Sequence, residues 1–596
     1  IMGLLFNIFQ IDPNTENGHL PKYHEFSIFY ERQRDEAVAL FKLLYFAKDF
    51  ETFYKTACWA RVHLNAGLFG YSYYIAVIQR PDMKEFFLQA PYEVFPELFI
   101  NRDLVTKIVR YKQQGGILYP EYAKKYGLVE ENNNLIFYAN YSNGLTYPNK
   151  EERISYFTED IGWNSFYFYY HTIEPFWLNT GRYDRFTKSR GELYFHFHQK
   201  ILARYYMERL SNGFDEIPSF SWFEPFKVGY FPMVGSSYYN FAQRNNYYNL
   251  KSDNNYNSIR FLDRYEKRFS QYLQKGRFKT NQYAIRDPKA MNFVSNYWQT
   301  NADLYSENFT TGYHIAFTRY NFIPSALDFY QTSLRDPAFY QLYNKIFNYI
   351  IQYKQYLKPY SREELHYNGV KIQDVKVDKL VTYFELYDFD ANNIVDFNKY
   401  EDKRDYSNFK VRQPRINYKL FKISIDIMSD QRTDAVVKFW IGPKYDSYNY
   451  PINIEDNWMN FYELDFFTHK LNKGMNKIER SSDEFFLFKE DSMPASEVFE
   501  LLEQGKLPTY TIENFAKMPR RLALPRGRTD GFPFQFLIFV YPQNSVDRNR
   551  ETTVGFYDSM LGNKPFGYPL DRPAKKKNFM NQQNMFFKDI SIYHED

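Results

Sequence analysis

The chain has 596 residues, 75 of them basic and 71 acidic, giving a formal net charge of +4, and its 60 Phe, 58 Tyr and 7 Trp make it 21% aromatic. Charge this nearly balanced excludes a strong polyanion partner such as nucleic acid. The single cysteine, Cys58, excludes an internal disulfide and a cysteine zinc cluster, and no apolar run is long enough to insert into a membrane. A rigid core can be built from Leu, Ile and Val, so this aromatic load has two readings: an aromatic-biased core, or amino acids that are themselves the product.

Length predicts three or four domains. The opening residues "IMGLLFNIFQ" lack a basic start and a small-residue cleavage site, so they do not read as an intact signal peptide. Missing disulfides suit a reducing compartment, although a large chain can be secreted without them. Residues 1–150 read mainly as helix. In "RQRDEAVALFKLLYFAKDFETFYKTACWARVHL", Val38, Phe41, Leu44 and Tyr45 form one stripe. "GLFGYSYYIAVIQRPDM" is a second apolar helix that Pro81 ends. The turn-rich "EENNNLIFYANYSNGLTYPNKEE" reads as a boundary loop near Lys150.

Helices continue through 151–370. "WNSFYFYYHTIEPFW" crowds rings around one histidine, His171, and "GELYFHFHQKILARYYMERLSNG" sets His198, Ile201, Leu202 and Tyr205 at helical spacing with Gly213 as its stop. "YYNFAQRNNYYNLKSDNNYNS" reads as an exposed loop. Residues 371–596 change to strand character. "RINYKLFKISIDI" alternates, with a phase slip at Leu420-Phe421 that suits a bulge, and "AVVKFWIG" and "FQFLIFVYP" are compact β runs. Strands spaced by long loops imply a β-sandwich. The run Lys575-Lys576-Lys577 reads as a solvated tail.

Chemistry-bearing motifs are few. "DFDANNIVDFNK" sets Asp388, Asp390 and Asn392 at alternate positions, as in a calcium loop, but Asn393 replaces the turn glycine and Lys399 the bidentate Glu, so a polar hairpin is expected. His196 and His198, two apart on a helix, point to different faces. His171 and His198 can meet if their helices pack, but two imidazoles are too few for a tight copper or zinc centre. No catalytic triad stands out. Asn140-Tyr141-Ser142 and Asn308-Phe309-Thr310 are glycosylation acceptor triplets.

The blocks "YFTEDIGWNSFYFYYH", "GELYFHFHQKILARYYMERLSNG", "SLRDPAFYQLYNKI" and "DSMLGNKPFGYPLDRP" resemble, in order and across nearly the whole chain, the arthropod hemocyanin superfamily. The aromatic excess makes the likeness greatest to insect hexamerins of the arylphorin type. The resemblance implies a helical N-terminal domain (1–150), a central helical domain with a four-helix bundle (151–370) and a C-terminal immunoglobulin-like β-sandwich (371–596). Oxygen-handling members hold two coppers through six histidines of the bundle. Carried onto this chain, those positions are Tyr167, His171 and His198 for one copper, and Phe309, Tyr313 and Tyr343 for the other. A one-residue slip would exchange Tyr313 for His314 and restore one histidine, not three. Four of the six positions are therefore aromatic, and the resemblance implies no copper, no other cofactor and no enzyme activity. It implies storage of Phe and Tyr for growth, metamorphosis and cuticle formation. It also implies a homo-hexamer or a hetero-hexamer with related subunits, secretion into hemolymph, an uptake receptor on the fat body and later deposition in fat-body granules. The alternative is a hemolymph carrier of small hydrophobic ligands or hormones, for which an aromatic interior is suitable.

Overall fold

The computed structural model describes residues 20–22, 24–83, 86–113, 121, 123, 127–132, 134–141, 150–178, 190–235, 240–250, 256–276, 291, 294, 297–298, 324–394, 408–506, 517–543 and 564–595. Helix α1 (Glu31–Tyr45) buries Ala37, Leu40, Phe41 and Leu44. The expected Val38 and Tyr45 flank that stripe, half-buried. The chain breaks after α1 because Arg80, 5% exposed, turns its guanidinium onto the carbonyls of Leu44, Tyr45 and Ala47 at 2.9–3.0 Å. That satisfies acceptors the helix end would otherwise leave bare. Asp49 then caps α2 (Phe50–His63) by accepting from the Thr52 N–H at 2.8 Å. Asn65 caps α3 (Ala66–Gln79) in the same way, and α3 stops before Pro81. A fourth helix, α4 (Arg102–Gln113), buries Leu104, Val105, Ile108 and Tyr111.

The expected boundary loop holds a hairpin. Its strands, β1 (Leu128–Glu131) and β2 (Asn134–Tyr138), turn at Asn132, whose φ is +49°. The run Leu135-Ile136-Phe137 within the turn-rich stretch has strand-forming side chains, and all three are buried.

The central helices are α5 (Ile161–Ile173), α6 (Arg190–Ser211), α7 (Tyr256–Lys275) and α8 (Pro337–Lys354). Every residue of α5 is buried, which explains its lack of a polar face. Gly213, at φ +70°, ends α6 as expected. The segment expected as an exposed loop is anchored rather than free. Within it Phe241 is buried, and Arg244 makes a buried bidentate pair with Asp336, the cap of α8.

Beyond α8 lie strands β3 (Val370–Val377), β4 (Leu380–Asp390), β5 (Asn408–Tyr418), β6 (Lys422–Ser429), β7 (Thr433–Pro443), β8 (Tyr462–Leu471), β9 (Gly474–Ser481), β10 (Phe488–Lys489), β11 (Met518–Pro519), β12 (Phe532–Pro542) and β13 (Met585–Glu595). A short helix, α9 (Ala495–Glu503), is inserted among them. One sheet runs β1-β2-β5-β4-β13-β12-β7-β8 and a second runs β3-β6-β9. Pairing is antiparallel in both except at β2–β5 and β13–β4, which are parallel. Ile423, Ile425 and Ile427 of β6 share a buried cluster with Phe439 and Ile441 of β7, so the two sheets enclose one core. The slip at Leu420-Phe421 is the connection between β5 and β6, not a bulge within a strand. The N-terminal hairpin thus supplies the edge of a sheet whose other strands lie beyond residue 370.

A buried ion network joins the bundle to the sandwich. Asp160 caps α5 through the Trp163 N–H at 2.9 Å and also accepts from both terminal nitrogens of Arg521, at 2.5 and 2.7 Å. Arg521 donates through Nε to Asp491 at 2.8 Å, and Asp491 accepts from Arg415 at 2.9 Å. Burial alone would push the Asp491 carboxyl up, but Arg521 and Arg415 hold it below the usual carboxylate range. Gly162 is required here, because a Cβ would lie 2.7 Å from an Arg521 nitrogen. Replacing Arg521 with Met strands Asp160 as a buried, uncompensated carboxylate, an expected loss of about 3–5 kcal/mol. Urea unfolding followed by near-UV circular dichroism measures it, and an unchanged midpoint would contradict the coupling.

Candidate functional site

Four of the six sequence-predicted positions meet in the bundle. Tyr167 and His171 lie one turn apart on α5, with ring centroids 4.6 Å apart. His198 comes from α6, its ring 6.3 Å from that of His171. Tyr343 comes from α8 and stacks on His198 at 4.6 Å with an interplanar angle of 1°. The Tyr167 and Tyr343 hydroxyls lie 3.4 Å apart. Phe309 and Tyr313, with the neighbouring His314 and Asn308, lie outside the described residues.

Sequence reasoning missed the rings that complete the cluster. Tyr330 stacks on His171 at 3.8 Å and 7°. Phe197, between the two histidines of "YFHFHQK", stacks on Tyr170 at 3.7 Å. Phe339 lies 4.3 Å from Tyr343 and 5.3 Å from Tyr167. Phe197 and Phe339 stand in motifs already singled out, so ring density there was the available signal. Tyr330 sits just before one of those motifs and carried none.

The electrostatics favour neutral groups throughout. Burial pushes the His198 imidazole down to about 3. Its Nδ1 lies 2.9 Å from the Tyr194 carbonyl, which can only accept, so Nδ1 carries the proton. Burial pushes the Tyr167 phenol well above its ordinary value, with the nearby Tyr343 phenol adding to the effect, and burial raises Tyr343 itself. Both phenols are therefore protonated at neutral pH and are poor metal ligands. Among the described residues no group of three His, Cys, Asp or Glu side chains could hold a metal ion. The described donor set does not fit a copper centre, since two imidazoles against two neutral phenols leave too few ligands.

The remaining predicted positions are dispersed. His196 faces away from the cluster and stacks on Phe566, and burial pushes it down to about 3. Asp388 pairs with Arg412 at 2.7 Å across β4 and β5, while Asp390 accepts from the Ser496 N–H and hydroxyl at the start of α9. Those contacts occupy Asp388 and Asp390; the calcium-like motif from residue 395 on, with Asp396 and Lys399, lies outside the described residues. Asn140 is exposed just past β2. The Lys575–Lys577 run is exposed but is no tail, since Lys576–Phe579 form a short helix ahead of β13 and Lys576 bonds to Glu455 and Asn453.

Comparison with known proteins covers nearly the whole chain. The all-alpha hemocyanin domain matches residues 10–85, the copper containing hemocyanin domain 90–350 and the ig-like hemocyanin domain 359–594. Arylphorin subunit alpha of Manduca sexta is 54% identical over 97% of this chain and 84% of its own length. Arylphorin of Antheraea pernyi is 53% identical over the same shares. A scorpion hemocyanin structure superposes with a TM-score of 0.82 at 24% identity, covering 98% of this chain and 96% of that one.

The buried histidine gives a pH signature. The unfolded imidazole titrates near 6.5 and the folded one near 3, so the unfolded state binds the extra proton between those values and stability falls as pH drops through that window, by up to roughly 1.4 kcal/mol per pH unit. His198→Phe removes this contribution. Its unfolding free energy from pH 6.5 to 4 should fall less steeply than that of the wild type, and parallel curves would show that His198 is protonated in the fold.

Proposed function

The chain belongs to the hemocyanin superfamily and, within it, to the arylphorin-type hexamerins, and from that premise we propose how its structure serves its function. It is an aromatic-rich storage protein of insect hemolymph. The observation that carries this is the aromatic share of 21% in a chain of that family. A store must hold its cargo soluble, and exposed rings in such numbers would aggregate. The fold places rings from all three parts of the chain in its buried clusters, so the reserve is the core itself. Release then needs only unfolding and proteolysis, with no catalytic group.

The chain has no enzyme activity and no copper, because Tyr167, Phe309, Tyr313 and Tyr343 stand at four of the six ligand positions. It assembles as a homo-hexamer or with related subunits, as closed symmetry favours. It circulates in hemolymph before fat-body uptake, with exposed Asn140 as a glycan acceptor and Asn308 as a second. Purified native protein tests the first two together. Light scattering should give six times the mass of one chain, about 434 kDa for these 596 residues at 72.3 kDa each, and elemental analysis should find no stoichiometric copper. A 72 kDa monomer would end the assembly reading, and two coppers per chain with an oxygen-dependent absorption band would end the storage-only reading. Peptide mass spectrometry should find glycan on Asn140, and full occupancy by unmodified asparagine at both acceptors would remove glycosylation.

A further inference from the structure

The outward face of α2 exposes large apolar side chains among its charged ones, which include Glu51, Lys55, Arg61 and His63. Phe50, Tyr54 and Val62 are 51%, 58% and 58% exposed, and Glu51, Cys58 and Arg61 are exposed beside them. The opposite face, with Phe53, Thr56, Ala57 and Ala60, is buried in the domain. Glu51, Tyr54, Cys58 and Arg61 follow one another at spacings of three, four and three, the spacing of a seam that packs against a second helix. Phe50 and Val62 flank it. At one end of the face Arg61 lines a cleft with Glu93, Asp390, Glu500 and Glu503, and at the other Phe50 lies beside Phe86, ring centroids 6.2 Å apart. Tyr54, Cys58 and Val62 between them are exposed.

We propose that this face is a contact between two copies of the chain, with their α2 helices antiparallel about a two-fold axis near position 56. The charge pattern selects both partner and direction. In an antiparallel pair each layer joins residues whose numbers sum to the same value, so Glu51 shares a layer with the partner subunit's Arg61, and Tyr54 with the partner subunit's Cys58. A parallel pair would set Glu51 on Glu51 and Arg61 on Arg61, and like charges repel at that range. The face is thus complementary to itself in one orientation, as a two-fold contact requires. Within its own helix Glu51 meets Lys55 at 2.6 Å, but both side chains are well exposed, at 74% and 59%, and such a surface pair is readily exchanged. A 14-residue helix pair is too small to hold two 72.3 kDa chains alone, so the contact acts within the assembly proposed above, on which this inference rests.

Charge swaps test it on the full chain by sedimentation velocity. E51R and R61E alone each place like charges in two layers, and each should shift the dominant species from the hexamer to a smaller assembly. An equimolar mixture of the two variants, and the double variant E51R/R61E, should both return to wild-type mass, because each restores opposite charges across the axis. That recovery also shows that the variants fold. Under mild oxidation Y54C should form a chain dimer through Cys58 on a non-reducing gel, and the wild type should not. A wild-type hexamer that E51R and R61E leave intact, or a Y54C variant that forms no dimer, overturns the α2 contact while leaving the hexamer standing. A wild-type monomer overturns both.

Discussion

The guanidinium of Arg521 fixes the frame on which the rest depends. It reaches from the sandwich to Asp160, and Asp160 is the cap from which α5 starts. Helix α5 carries Tyr167 and His171, so the aromatic cluster inherits its position from an ion pair made with another domain. Buried ion pairs add little net stability, because desolvation offsets their attraction. Their strength is directional, since two charges stranded out of register cost several kcal/mol. An apolar interface of equal area would tolerate sliding, and this one does not. Nearby, Arg204 pairs with Glu208 on α6 and donates to the carbonyls of Leu522 and Leu524, which locks a second bundle helix to the same segment of the sandwich.

Inside that frame, ring packing replaces ligand geometry. Stacked and edge-on contacts of 3.7–4.6 Å join α5, α6, α8 and Tyr330. Such contacts need no charge and no fixed coordination number. A metal centre here would need the two phenols ionised in a dry core, whereas the protonated phenol is the species that burial favours; the neutral imidazoles can ligate, but two are too few. The same low dielectric that makes the phenols poor ligands makes them stable fillers.

Much of this was legible from periodicity and motif. The helices around Leu44, Ile75 and Ile201 and the strands around Trp440 and Ile538 follow from their apolar spacing, and the meeting of Tyr167, His171, His198 and Tyr343 follows from family resemblance. Long-range partners were not legible. Nothing local to Arg521 names Asp160, 361 residues away, and nothing near Leu135 announces a strand partner at Phe409. The stripe of α1 was misjudged by one position because Ala37 carries too little hydrophobicity to mark a face, although its small size lets the helices approach. The Leu420-Phe421 slip was misread because a tight strand connection and a bulge leave the same break in alternation.

The N-terminal hairpin has a consequence for how the chain is made. Strand β2 ends at Tyr138 and its neighbour β5 begins at Asn408. At synthesis rates of roughly 5–20 residues per second, the hairpin waits on the order of tens of seconds for the strand that covers it. Throughout that interval its inner edge is an unsatisfied row of backbone donors and acceptors. On a ribosome-crowded secretory surface, many nascent chains would present the same edge at once. The outer strand of the pair bears Glu130 and Glu131, and charge on an edge strand discourages edge-to-edge pairing.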